Sequence, residues 1–393
     1  MKFSNPAIVF GGGINGLGIT RNLGGAGVDV YCVVEGVDPV VFSRHCHKHF
    51  LIPHLTQGKN NIQSLLRELS KRVTSRPVIF ATDDIGTLIL SDLKSEMKDD
   101  YYFVMANREV AEKLVIKTKF YESLIENNVP YPKVFVPRGI RELETLSKEF
   151  EYPIFIRPSM SQHFSTLFRK KGFVANSYQE LHRYFSIASK YKIDVMLQEI
   201  VPGPDTNQYG ISGFFNKQSK PSAFFAYHRL KSWPLSFGNS SLMESVSLTE
   251  LPILKETIVR YLESLRYYGI MDAEFKLDPR DNRFKLLEIN ARSWWQNSFP
   301  TKCGLNIVFK AYLDAIGEET EYSEAYSIGL KWIEFVSYVR SSIFDKKITQ
   351  LDWIKSLKRV RDFSFLDVAD PLPYVPGMLL MGFRFVSQKK SAD

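Results

Sequence analysis

The stretch that decides the fold begins Met271-Asp272-Ala273-Glu274-Phe275-Lys276-Leu277-Asp278. It turns at Pro279-Arg280-Asp281 and returns as Phe284-Lys285-Leu286-Leu287-Glu288-Ile289-Asn290-Ala291-Arg292. Both arms read as strands around a turn. Side chains alternate across a strand, so Glu288 and Asn290 share one face, and pairing can bring Glu274 to it. Ala273, Phe275, Leu287 and Ile289 supply the buried face. Two carboxylates and an amide oxygen are hard oxygen donors of the kind Mg²⁺ takes. Arg292 adds a cation able to grip a phosphate or carboxylate with two hydrogen bonds. The plainer alternative is a row of solvated strand charges, but acids gathered on one face repel unless a cation joins them.

Upstream lies a second feature, Gly11-Gly12-Gly13-Ile14-Asn15-Gly16-Leu17-Gly18. It follows a short apolar run and precedes a helical segment at 17–25 and a strand at 28–34. Strand, glycine turn, helix, strand is a parallel βαβ unit. Gly11, Gly13 and Gly16 fit the dinucleotide fingerprint, with Glu35 ending the next strand where a ribose-binding acid would lie. The competing reading is a tight turn that packs the first helix against its strand. A helix near 60–72, a strand at 77–81 and a helix near 86–94 continue the alternation, so residues 1–105 read as a doubly wound, parallel-sheet α/β domain.

Residues 106–317 read as an α+β unit. A long amphipathic helix is expected over 109–128, stopped by Pro130 and Pro132. Strands are expected at 153–158, 173–175, 194–201, 211–215 and 223–228, and a helix at 178–189. In Tyr227-His228-Arg229-Leu230-Lys231 alternation puts Arg229 and Lys231 on one face, where cations can neutralise a transferring phosphoryl group. Residues 318–393 read as a helical extension, with Trp332, Phe335, Tyr338 and Val339 at helical spacing. Pro376–Phe383 is an apolar stretch for which a buried terminal strand is preferred over a membrane-surface contact.

The chain has 393 residues, is 44% hydrophobic and carries a formal charge of +8. That length supports two or three domains with sizeable cores. The basic residues are spread out, and only Lys389-Lys390 forms a short basic tail, so nucleic acid is not an expected partner. Cys32, Cys46 and Cys303 do not make a disulfide framework, which points to a cytoplasmic location. No run of ~18 apolar residues is present, so no transmembrane helix is expected. His45, His47 and His49 alternate beside Cys46 and near His54. They tempt a zinc reading, but no second cluster completes the ligand set.

Taken together these motifs resemble the ATP-grasp superfamily. The Glu-Phe-Lys at 274–276 and the Leu-Leu-Glu-Ile-Asn-Ala-Arg at 286–292 are similar to its metal-binding end. Lys117, within 113–121, and Arg157, in Tyr152-Pro153-Ile154-Phe155-Ile156-Arg157-Pro158-Ser159, resemble its two nucleotide-contacting cations. Gln198-Glu199-Ile200-Val201-Pro202-Gly203 resembles the strand that grips adenine. Asn15-Gly16-Leu17-Gly18, Ser43-Arg44, Trp233–Gly238 and Ala291–Trp294 resemble the bacterial ATP-grasp carboxylate–amine ligases.

The resemblance implies an N-terminal pre-ATP-grasp domain at 1–105 and an ATP-grasp domain at 106–317, with a small lobe at 106–200 and a large lobe at 201–317. It implies ATP and Mg²⁺ as cofactors, with Mn²⁺ as a substitute, and small-molecule carboxylate and amine substrates joined through an acyl phosphate. Glu274, Glu288 and Asn290 would bind metal. Lys117, Arg157, Ser159, Ser161, Gln198, Glu199, Ile200, Val201 and, for the ribose, Asp205 would bind ATP. Arg292, Arg229 and Lys231 would serve the reacting groups. A homodimer is the assembly such folds commonly adopt. Family loops after the second cation are often glycine-rich, whereas 159–166 contains no glycine; it is still expected to close over ATP. Two rival readings are an ATP-binding module without ligase activity and an NAD(P)-dependent oxidoreductase using the glycine turn.

Overall fold

The computed structural model describes residues 3–52, 58–73, 75–234, 238–344 and 350–379. Three sheets organise them. The first is parallel, built from β1 (Ala7–Phe10), β2 (Val30–Val34), β3 (Cys46–Leu51), β4 (Val78–Ala81) and β5 (Tyr102–Phe103), in the order β3-β2-β1-β4-β5. Helices α1 (Gly13–Gly24), α2 (Lys59–Ser70) and α3 (Asp84–Leu93) connect its strands. A parallel strand buried on both faces reads as a continuous apolar run, and β1 is Ala-Ile-Val-Phe, wholly buried. Ala7 and Val9 pack with Leu17 and Leu23 of α1. Ile8 and Phe10 pack on the other side with Leu66 of α2 and Leu90 of α3. This is the doubly wound arrangement expected from the glycine-turn unit.

The expected long helix at 109–128 is two helices, α4 (Arg108–Val115) and α5 (Lys117–Glu126). Ile116 between them is extended, with φ −80° and ψ 112°. No proline or glycine causes the break. A tertiary bond fixes it instead, since the Lys117 N–H donates to the Ser159 carbonyl at 3.0 Å.

The second sheet is small. It comprises β6 (Val134–Phe135), β7 (Ile154–Pro158), β8 (Phe173–Ala175) and β9 (Val195–Glu199), ordered β6-β9-β7-β8 and antiparallel. Between its strands run α6 (Leu143–Ser147), α7 (Ser161–Phe168) and α8 (Tyr178–Lys190). Its apolar core is its own, formed by Ile154, Ile156, Phe164, Phe173, Leu181 and Leu197. The segment expected to be an open covering loop is therefore largely helix α7. Phe164, fully buried, pins it, with its ring 4.7 Å from Phe168 and 5.0 Å from Phe173.

The third sheet has seven strands, β10 (Gln208–Phe215), β11 (Pro221–Trp233), β12 (Asn239–Val246), β13 (Gly269–Asp278), β14 (Arg283–Asn290), β15 (Lys331–Ile333) and β16 (Val360–Asp362). Their order is β14-β13-β10-β11-β12-β15-β16. Strand β13 pairs with β14 as expected, and Glu274 stands directly opposite Glu288. Phe214 and Phe225 share a core with Val9 of β1 and Leu17 of α1. The C-terminal segment is helical over Phe335–Phe344 and Gln350–Ser356. It also feeds two strands into the large sheet. Trp332, read as part of a helical stripe, lies in β15 opposite Met243. The apolar stretch 376–383 leaves the described residues after 379, and its described part is helical rather than a strand. No described helix is long and apolar enough to cross a membrane.

Candidate active site

A cavity of about 360 Å³ opens between the small and large sheets, within the range of ligand sites. All the expected site residues line it except Ser159, Asp205 and Lys231.

One end of it is built from three elements. Lys117 begins α5, Arg157 sits on β7 and Glu288 on β14. Lys117 Nζ lies 3.4 Å from Glu288 Oε2, and the Arg157 guanidinium donates to the same oxygen. Arg157 also donates to Gln198 Oε1 at 3.2 Å on the neighbouring strand. Burial alone would raise the Glu288 carboxyl, but the charges of Lys117, Arg157 and Lys171 outweigh it and hold it well below the ordinary carboxylate range. Burial lowers the Lys117 amine, and Glu288 opposes that shift. On β11 Arg229, buried, donates to Glu274 Oε2 at 2.7 Å, and its Nε has no partner among the described residues.

The acids fit a magnesium site of a particular kind. Glu274 and Glu288 are cross-strand neighbours, and like charges so placed repel. Asn290 lies on the same strand as Glu288, paired with Asp272. Among the described residues no group of three or more His, Cys, Asp or Glu is arranged to hold a metal by itself. Mg²⁺ seldom uses an all-protein cage. It takes one or two carboxylates together with substrate phosphates and waters, which is what two carboxylates and an amide beside three cations offer. The zinc reading depended in part on His54, which lies outside the described residues.

Other expected residues have different tasks. The Glu199 carboxylate, expected to meet the adenine amine, accepts from the Lys133 N–H at 2.8 Å, Arg280 at 2.8 Å and Lys285 at 3.0 Å. It braces the strand end, and Glu199, Ile200 and Val201 line the cavity. Asp205 accepts from the Ser232 N–H at 3.1 Å and from its hydroxyl, so it fastens β11 rather than facing a ribose. Ser159 pairs with Thr118 Oγ1 at 3.1 Å and holds α5. A register shift between Arg229 and Lys231 interrupts the alternation on which their shared face rested. Arg229 lines the cavity and Lys231 does not.

The glycine turn is closed from within. Asp38 accepts from the Gly13 N–H at 3.0 and 2.8 Å, one bond to each oxygen, and from the Val40 N–H at 2.9 Å. A Cβ on Gly12 would lie 2.2 Å from that carboxylate. The helix N-terminus that a dinucleotide pyrophosphate would need already holds an anion, and the nicotinamide reading fails on this point.

The cavity residues not singled out from the sequence include three charged ones. Asp272, on the same face of β13 as Glu274, is buried and accepts from Ser212 at 2.8 Å. Burial first and the Glu274 charge second push it up to about 7. Period-two alternation from Glu274 could have flagged it. Asp84 opens α3 and accepts from Arg292 Nε at 2.8 Å; its only signal was its place at a helix start. Lys171 sits in the basic run Arg169-Lys170-Lys171 before β8.

The two sheets form a vice in which Arg157 of the small sheet meets Glu288 of the large one. The chain has the ATP-grasp fold. No family model matches the chain. It is similar to the D-aspartate ligase of Enterococcus faecium, 27% identical over 332 residues, covering 76% of each chain. It is also similar to the carbamoyl phosphate synthase large chain of Saccharolobus islandicus, 21% identical over 214 residues, covering 53% of this chain and 20% of that one. Among solved structures, N5-carboxyaminoimidazole synthetase from Staphylococcus aureus complexed with ADP matches with a TM-score of 0.68 at 12% identity, covering 88% of this chain and 86% of that one. The biotin carboxylase domain of Hydrogenobacter thermophilus 2-oxoglutarate carboxylase, a MgADP complex, matches with a TM-score of 0.66 at 15% identity, covering 84% and 74%.

Proposed function

We propose that this chain uses MgATP to phosphorylate a small-molecule carboxylate and passes the resulting acyl group to an amine. The observation that carries the reading is the Glu274–Glu288 pair of β13 and β14, facing Lys117 and Arg157 across one cavity. Glu274, Glu288 and Asn290 would hold Mg²⁺, which when bound supplies charge neutralisation at phosphate oxygens.

Lys117 and Arg157 hold the phosphates of ATP, while the backbone from Glu199 to Val201 reads the adenine edge. A substrate carboxylate oxygen attacks the γ-phosphorus, the bond to the β,γ-bridging oxygen breaks, and ADP leaves. The amine nitrogen then attacks the acyl carbon, phosphate departs with the C–O electron pair, and the nitrogen loses a proton. Arg292 and Arg229 hold the acyl phosphate, and the spare Nε of Arg229 supports that role. Positioning and charge neutralisation supply the catalysis, as in other phosphoryl transfers. Similarity to a D-aspartate ligase makes an acidic amino acid the first carboxylate to test.

The same oxygen donors support Mn²⁺ as a substitute. The free cysteines Cys32, Cys46 and Cys303 support a cytoplasmic location, and small-molecule substrates rather than nucleic acid are the proposed partners. A homodimer is the proposed assembly. Domain borders near residues 105 and 317 complete the reading.

The test is calorimetry of ATP binding with and without Mg²⁺, for the native chain and Glu288→Gln, followed by phosphate release with acid–amine pairs. The native chain should bind ATP in a Mg²⁺-dependent way, Glu288→Gln should lose that dependence, and phosphate release should need both substrates. ATP binding without any substrate-dependent phosphate release would leave the ATP-binding module as the better reading.

A further inference from the structure

The basic run before β8 has a use that the ligase reading does not assign. Lys171 lines the cavity together with Lys117, Arg157 and Arg229. Its ammonium is 2.6 Å from Asn239 Oδ1 at the start of β12. This bond runs from the small sheet's hairpin to the large sheet, across the cavity mouth. The charges of Glu288 and Glu274 act on the Lys171 amine, as do those of Arg229 and Arg157.

Two local features put it there. Helix α7 ends at Arg169 in the left-handed region, φ +52°, which reverses the chain toward the cavity. Next, Gly172 lies so close to β7 that a Cβ would come within 2.5 Å of the Ile156 carbonyl and 2.6 Å of the Phe155 ring. A larger residue would push the hairpin off the strand that carries Arg157. Because α7 is pinned by Phe164, the segment after Arg157 is a fixed helix rather than an open glycine-rich loop. Of the basic residues between Arg157 and β8, Lys171 lines the cavity and Arg169 and Lys170 do not. Asn239 is a neutral acceptor, and an ammonium bonds far more strongly to a phosphate oxygen than to an amide oxygen.

We propose that Lys171 reads the third phosphate: with MgATP in the cavity its ammonium exchanges Asn239 Oδ1 for a γ-phosphate oxygen, tying the small sheet to the triphosphate but not to the diphosphate product. This rests on the ATP-ligase reading above. Lys117 and Arg157 then hold the nucleotide in either state, while Lys171 distinguishes substrate from product and lets ADP go.

Calorimetry of the full chain tests it, using the magnesium complexes of a non-hydrolysable β,γ-imido ATP analogue and of ADP. Lys171→Ala should weaken the triphosphate analogue by about tenfold or more while changing MgADP by less than about twofold, and Lys171→Arg should recover most of the loss. Asn239→Ala, which removes only the resting partner, should leave triphosphate binding intact or tighter. Thermal unfolding of each variant checks the fold. Equal weakening of both nucleotides by Lys171→Ala, or weakening of neither, overturns the proposal while leaving the nucleotide site standing. Failure of the native chain to bind either nucleotide overturns the site reading and this inference with it.

Discussion

At the first turn of α1 the chain points backbone N–H groups outward from a glycine turn; at the meeting of β7, β14 and α5 it sets side-chain cations around two carboxylates. Both arrangements attract phosphate in principle. The first is answered by Asp38, whose two oxygens take the Gly13 N–H and whose Oδ1 also takes the Val40 N–H. The second stays open, since Lys117, Arg157 and Arg229 meet Glu288 and Glu274 along the wall of a cavity. A motif of permissive residues thus says where a ligand has room to approach only until a side chain from the next loop claims the space. Charges drawn from separate elements to one cavity have no comparable structural excuse.

Crossing the two regions gives the largest expected effect. Arg157→Ala removes the buried donor proposed to hold the phosphates and should lower kcat/KM for ATP by ~10²–10³, in line with loss of one preorganised donor. Asp38→Ala should leave ATP binding unchanged and cost ~1–2 kcal/mol of stability as a lost helix cap. Steady-state kinetics and denaturant unfolding on both variants separate these effects. If Asp38→Ala lost activity as deeply as Arg157→Ala, the glycine turn would have to be returned to the active site.

The sequence carried the strand pair clearly because its evidence is periodic and local. Alternation around Glu274, Glu288 and Asn290 survives folding as a direct cross-strand register. What stayed illegible depends on neighbours distant in the chain. Ile116 breaks a helix because Ser159 accepts from Lys117. Glu199 turns to Lys133, Arg280 and Lys285, and Asp205 to Ser232, because those donors arrive from other strands. The split between Arg229 and Lys231 follows a register shift that alternation cannot anticipate. Lys171 carries no periodic signal, since a basic turn usually means solvent, and the tight passage of Gly172 over β7 sets it at the cavity.

A second prediction sharpens the contrast between the small and large sheets. The small sheet has its own core, so damage there should not spread to the large one. Phe164→Ala deletes a fully buried ring and should cost ~3–5 kcal/mol locally. Amide exchange should speed up over 154–199 and remain slow over β10 and β13, with ATP affinity reduced. Uniform acceleration across both sheets would mean that the two jaws fold as one unit.

The smallest effect per pH unit comes from two buried acids in different settings. Asp272 faces the cavity and stands at about 7. Asp362, buried in β16 and accepting from Ser298 at 2.7 Å, is pushed up to about 6 by burial. Both values lie above those of an unfolded aspartate, so the folded chain binds more protons than the unfolded one from about pH 4 upward. The stability each acid contributes is complete below about pH 4. It is lost as pH rises, through about 6 for Asp362 and about 7 for Asp272, at up to ~1.4 kcal/mol per pH unit for each proton. Asp362→Asn should therefore abolish the part of the decline that ends near pH 6, a few degrees in Tm for a chain of this length, and leave the pH profile of activity in place. Asp272→Asn should remove the part that runs from about pH 4 to about 7 and change the activity profile as well, because its carboxyl lies beside Glu274. Thermal melts from pH 4 to 8 alongside activity profiles decide it: if Asp362→Asn shifted the activity profile as Asp272→Asn does, the charge of β16 would be reaching the cavity, and the boundary drawn between open site and sealed core would be in the wrong place.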